Sequence, residues 1–115
     1  MQSRKKVLIV ESDEIAANAV AAMIYELNCE PHILQTGQSL AVVFIELEPD
    51  LVIIYRKLFL KNRQLFIEGN ERLSDSRLIV TSSAYLDKER INELGADYFL
   101  QKPFTLSELK PGVSS

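Results

Sequence analysis

The sequence predicts an α/β fold, a doubly wound sheet of five parallel strands covered by helices on both faces. Short, wholly apolar runs rich in β-branched residues recur at Val7-Leu8-Ile9-Val10, Leu51-Val52-Ile53-Ile54 and Leu78-Ile79-Val80. Runs of that kind are strands buried on both sides of a parallel sheet. Between them lie stretches whose apolar residues recur at helical spacing. Strands that alternate with helices of about ten residues require right-handed crossovers, and these place helices on either face of one sheet.

Taken in order, Val7 to Val10 is the first strand, and it ends at Glu11. Ser12 is a candidate cap for a helix in which Ala16, Val20, Met23, Ile24 and Leu27 share a face, and Asn28 is a stop signal. The stretch Glu30 to Leu34 is a weaker strand, because Pro31 lacks a donor and suits an edge. Thr36-Gly37 turns the chain into a second helix from Ser39 to Glu48, with Leu40, Val43, Phe44 and Leu47 on one side. Pro49-Asp50 closes it before the strand Leu51 to Ile54.

The segment from Arg56 to Ser76 shows no clean apolar stripe and reads as a loop followed by a helix, broken or ended at Gly69. Leu78 to Val80 is the fourth strand, Asp87 to Leu94 a short helix stopped by Gly95, and Tyr98 to Leu100 the fifth strand. Leu106 to Leu109 is barely one helical turn before Pro111-Gly112, so the last helix is expected to be truncated or absent. The domain then spans residues 1–109, with a flexible tail at 110–115. An apolar strip over the fourth and fifth strands and the first helix is expected to stay exposed.

Composition narrows the function classes. With 115 residues, 47% apolar and 25% charged, the chain has the make-up of one globular domain able to bury a core. A net charge of -3 speaks against a broad phosphate-gripping face, although Arg4, Lys5 and Lys6 form a small cationic cluster. Cys29 is the only cysteine and His32 the only histidine, which excludes an internal disulfide and leaves too few ligands for zinc. His32 reads as a surface or partly buried residue and Cys29 as helix-end packing. The apolar run at Val7 is far too short for a signal peptide or a membrane span. A cytoplasmic location is expected.

In a doubly wound sheet the site lies beyond the carboxyl ends of the strands. The residues placed there are Glu11, Ser12, Asp13, Tyr55, Thr81, Ser82 and Lys102. Around them the sequence resembles the receiver domain of two-component response regulators, from about Lys6 to about Leu109. Val7 to Asp13 resembles that family's first strand and acidic turn, Pro49 to Ile54 the run into its phospho-acceptor, and Leu78 to Ser82 the strand ending in its switch hydroxyl. Gly95-Ala-Asp-Tyr-Phe-Leu-Gln-Lys-Pro-Phe104 closely resembles the family's ending, with its lysine and its usual cis Lys-Pro bond.

The resemblance implies flavodoxin-like receiver topology. It makes Thr81 the switch hydroxyl, Phe99 the aromatic switch position and Lys102 the phosphate-contacting lysine. It also exposes three departures. Ser12 stands where the family has a second metal-binding acid, Tyr55 stands at the phospho-acceptor, and Arg56-Lys-Leu-Phe-Leu-Lys61 replaces the usual acceptor loop. Phosphoryl transfer to a carboxylate needs a nucleophilic aspartate and a metal to neutralise phosphate charge. A phenol lacks the carboxylate's charge and sets its oxygen roughly 4 Å further out on a rigid ring. Glu11 opposite Lys102 is electrically balanced, and Asp13 is expected to point into the helix start, so the demand for magnesium falls.

The degenerate set Glu11, Ser12, Tyr55, Thr81 and Lys102 therefore reads as a site without catalytic or metal-binding residues and without a cofactor. A Glu11–Lys102 ion pair, joined by the Tyr55 hydroxyl, is expected to fill it. Tyr55 itself reads equally as an aromatic packed over the sheet or as a residue with a signalling role. The leading expectation is a pseudo-receiver, a phosphorylation-independent regulatory or protein-interaction module. Its partners would be a signalling kinase, an effector domain or a second copy, met through the face that the resemblance implies, the fourth helix and last strand, with no nucleic acid and no membrane. The alternative is an allosteric domain that binds a small anion or cofactor near Lys102 and Thr81. An enzyme is not expected, since the chain lacks a Gly-rich phosphate loop, a Ser/His/Asp set and paired catalytic carboxylates. Arg56-Lys57 and Lys61 to Arg63 read as a solvated face or as a cationic loop for an acidic partner.

Overall fold

The computed structural model describes residues 4–114. Five parallel strands form its main sheet: β1 (Lys6–Val10), β2 (Glu30–Ile33), β3 (Leu51–Tyr55), β6 (Arg77–Ser82) and β7 (Tyr98–Gln101), in the spatial order β2-β1-β3-β6-β7. β4 (Ile67–Glu68) and β5 (Glu71–Arg72) make a separate antiparallel hairpin. The helices are α1 (Glu14–Glu26), α2 (Leu40–Leu47), α3 (Arg56–Lys61), α4 (Lys88–Leu94) and α5 (Leu106–Ser114).

The apolar runs are continuous because their alternate side chains feed two different cores. Val7, Ile9, Leu51, Ile53 and Ile79 point to one face and pack with Ala17, Val20 and Ile24 of α1 and with Leu109 and Val113 of α5. Leu8, Val10, Val52, Ile54, Leu78 and Val80 point to the other, against Leu40 of α2, Phe59 of α3, Phe66, and Leu94 of α4. The register sets Val10 beside Ile54, Ile54 beside Val80 and Tyr55 beside Thr81, so the strand ends form one row. Pro31 lies in the edge strand β2, opposite Val7, as the missing donor requires.

Local signals mostly act at the residues that carry them. Ser39 caps α2 by accepting from the Val42 amide, Asp87 caps α4 by accepting from the Arg90 amide, and Gly95 ends α4 with φ of 77°. The cap of α1 differs. It is Asp13, whose carboxylate accepts from the Ile15 amide, and Ser12 stands outside the helix as an exposed residue.

Two expectations about elements are corrected. The segment after Tyr55 is not a loop and then a helix. α3 begins at once, a 3-10 turn follows at Arg63–Leu65, and the β4-β5 hairpin comes next, ending at Arg72. Gly69, with φ of 63°, is the first central residue of the hairpin's two-residue turn, where a positive φ favours glycine. The second correction concerns the end of the chain. Residues 110–114 are not a flexible tail, because α5 passes through Pro111 and Gly112 to Ser114.

α5 is held by particular contacts. Leu109 and Val113 are buried in the core, and Gly112 lies so close to the sheet that a Cβ there would meet Cδ2 of Tyr98 at 2.5 Å and Cδ1 of Ile79 at 3.0 Å. The terminal carbonyls, which a helix leaves unpaired, accept from cations: Gly112 from Arg77 Nε at 2.6 Å and Val113 from Lys5 Nζ at 3.3 Å. The apolar strip expected to be exposed is therefore covered, with Val20, Ile79 and Leu100 all buried.

Candidate functional site: a lysine closed between a carboxylate and an aromatic ring

The two loops that leave the central strands β1 and β3 diverge to opposite faces, and the crevice between them is where doubly wound folds place ligands. Here that crevice is filled by side chains of the chain itself. Lys102 follows β7, and its backbone N–H donates to the Ser82 carbonyl at 2.7 Å, which extends the β6-β7 ladder by one bond. The Lys102-Pro103 peptide is cis. From that anchor the side chain crosses the ends of β6 and β3 to reach β1, where its ammonium donates to Oε1 of Glu11.

The pair is largely dry. The Lys102 side chain is 21% exposed and that of Glu11 only 7%. The second Glu11 oxygen accepts from the Asp13 amide at 2.9 Å, so both oxygens of the carboxylate are engaged. The Lys102 ammonium also sits over the Tyr55 ring, 4.2 Å from its centroid, within the range of a cation–π contact worth on the order of 1 kcal/mol. Lys102 is thus held by a charge on one side and a π face on the other.

The Tyr55 hydroxyl does not join the ion pair as expected. It shares a hydrogen bond of 3.0 Å with Oγ of Ser83, in the loop after β6. Sequence reasoning missed Ser83; its only signal there is the hydroxyl run Thr81-Ser82-Ser83 at a strand end. Thr81 is 3% exposed and neighbours Tyr55 in register. Ser82 is buried and its hydroxyl bridges the Ala84 backbone, donating to the carbonyl at 2.9 Å and accepting from the amide at 3.1 Å. Phe99 is half-buried against the core that includes Val80 and Leu94. His32 meets only Glu30, at 2.9 Å, and Cys29 is a buried free thiol.

Magnesium, which the resemblance implies for an ordinary receiver, does not fit these donors. An octahedral ion needs converging oxygens, including one or two carboxylates. Glu11 has both oxygens taken, Asp13 is turned into its helix start, Ser12 offers an exposed hydroxyl, and the Tyr55 oxygen is directed to Ser83. Among the described residues, no group of three His, Cys, Asp or Glu is placed to hold a metal ion.

No family model matches the chain, and no curated protein matches it in sequence. Solved structures do match, and their fold is that of response-regulator receiver domains. A response regulator from Thermotoga maritima aligns with a TM-score of 0.74 and 23% identity, covering 97% of this chain and 99% of that one. The CheY-like receiver domain from Methylobacillus flagellatus gives 0.70 and 22%, over 96% and 97% of the two chains. The N-terminal domain of the nisin resistance regulator NsrR gives 0.74 and 18%, over 99% and 97%. Likeness at these identities is likeness of fold. With the hairpin set aside, the strand order β2-β1-β3-β6-β7 is a five-stranded flavodoxin-like sheet flanked by helices. Among the described residues no helix is long and apolar enough to cross a membrane.

Proposed function

We propose that this chain is a pseudo-receiver: a regulatory, protein-interaction module of two-component-type signalling that works without being phosphorylated. The observation that carries this reading is the closure of Lys102 between Glu11 and the Tyr55 ring. A phosphoryl group at this crevice would need a carboxylate to receive it, a metal to neutralise it and a free ammonium to contact it. The position of the carboxylate holds a phenol, the metal donors are otherwise engaged, and the ammonium has two partners already. The reading assigns no catalytic residue, no cofactor and no enzymatic activity. Thr81 and Phe99 keep the places of a switch, and the partner is a kinase, an effector domain or a second copy.

The alternative of a small anion bound near Lys102 and Thr81 draws less support. An anion there would have to displace the Glu11 carboxylate from a mostly dry pair, and partners of that kind separate at a cost of several kcal/mol. Amide spectra recorded while magnesium and then beryllofluoride are added test both readings. Signals from Glu11, Tyr55, Thr81 and Lys102 are expected to stay in place. Saturable movement around Glu11 would overturn the proposal, and the same movement with inorganic phosphate alone would favour the anion site.

A further inference from the structure

The chain has six arginines, and three of them have partners within the fold. Arg72 donates to Asp97 and to the Ser76 carbonyl, Arg77 donates to the Gly112 carbonyl, and Arg4 lies over the Tyr25 ring. The other three, Arg56, Arg63 and Arg90, have no side-chain hydrogen bond, ion pair or ring contact among the described residues. All three line one groove of about 320 Å³ between α3 with its following turn and α4.

The floor of that groove is apolar. Leu86 and Leu94 are each 6% exposed, and Leu60 presents half of its surface beside them. Glu93 is the single carboxylate in the lining, so the groove carries two positive charges in excess on a chain whose net charge is -3. Unpaired guanidinium groups concentrated over leucines, against an acidic background, have a definite complement. Guanidinium forks pair with carboxylates through two parallel hydrogen bonds, while a desolvated apolar floor supplies affinity.

We propose that the α3–α4 groove docks an acidic amphipathic segment of a partner protein. Its aliphatic side chains would lie on Leu60, Leu86 and Leu94, and its carboxylates would take Arg56, Arg63 and Arg90. A nucleic acid is a poorer occupant, because the lining offers no aromatic ring for a base to stack on and the chain as a whole repels phosphate. The inference deepens the interaction-module reading and rests on it for the need of a protein partner, but it does not require that phosphorylation be absent.

The test is fluorescence anisotropy of labelled probes at physiological ionic strength. The probe is a short peptide with Asp and Glu on one helical face and Leu on the other, and its control has every Leu replaced by Gly. Saturable binding of the first and not the control is expected. Arg63→Glu/Arg90→Glu should weaken it by roughly tenfold or more, and Leu60→Ser should weaken it as well, with unchanged circular dichroism in both variants. The proposal is overturned by failure of the acidic-leucine peptide to saturate, by equal binding of the control peptide or of an oligodeoxynucleotide, or by indifference to the arginine reversals. Self-association lost in the Arg63→Glu/Arg90→Glu variant would replace the partner protein with a second copy and overturn it too. Peptide binding seen only after magnesium and beryllofluoride are added would uphold the groove and instead overturn phosphorylation independence.

Discussion

Lys102 has the only ammonium among the described residues in a side-chain ion pair, and it is held from two sides. Removing one member of a mostly buried pair strands the other, whereas removing both costs much less. Lys102→Met is therefore expected to lower stability by about 2 kcal/mol and Glu11→Gln by about 1 kcal/mol, since a neutral amide still accepts from an ammonium. The double variant should lose only about 1 kcal/mol, roughly 2 kcal/mol short of the sum. Urea unfolding of the four proteins at neutral pH measures that coupling, and strictly additive losses would show the pair to be independent. The pair itself was expected from the sequence through the resemblance, which matches Glu11 and Lys102 to positions of one site although β1 and β7 are separated by two strands. The bond from Tyr55 to Ser83 was not, since it depends on the path of a loop that carries no periodic signal. The cap of α1 was misplaced by one residue for a similar reason: Ser12 and Asp13 are both good caps, and only the backbone turn decides between them.

The elements read correctly are those whose burial pattern is strong over several residues. β1, β3 and β6 are buried on both faces, and an unbroken β-branched run suits a doubly covered strand better than a helix, where those side chains lose rotamer freedom. The segment from Arg56 to Ser76 failed because none of its pieces is long enough to repeat a pattern. α3 has six residues and each hairpin strand has two, so neither helical nor alternating spacing can show itself. α5 failed for the opposite reason, because Pro111 and Gly112 are strong local stop signals that tertiary contacts override. Gly112 is there for proximity, not for flexibility. Gly112→Ala is expected to lower stability by about 1–3 kcal/mol through overpacking against Tyr98 and Ile79, despite alanine's better helix propensity. Thermal melts read the sign directly, and a stabilised variant would show that α5 stands further from the sheet.

The molecule has a Cα radius of gyration of 13.2 Å, close to the roughly 13 Å of a single packed domain of this length, so the crevice is built on one compact scaffold. That scaffold has two cores back to back, and at the end of β3 Tyr55 lies beside Thr81, one step beyond the Ile54–Val80 pair of one core. If the pseudo-receiver proposal holds, a single acid placed at the end of β3 should not make the site phosphorylatable. Tyr55→Asp removes the ring from Lys102 and supplies a carboxylate, yet its acidic neighbour at the strand ends, Glu11, is already engaged by Lys102 and the Asp13 amide, and α3 begins directly at Arg56. With acetyl phosphate and magnesium, Tyr55→Asp is expected to gain no phosphoryl group by intact mass. Ser12→Asp/Tyr55→Asp brings two carboxylates to the strand ends beside Glu11, and magnesium should then move the amides of the β1–α1 turn saturably. Phosphorylation of the single variant at the extent seen with an ordinary receiver would overturn the pseudo-receiver proposal as argued from Ser12 and α3. Magnesium binding by the double variant without phosphorylation would place the remaining block in α3, whose first turn, Arg56 and Lys57 included, would then be the element that separates this chain from a working receiver.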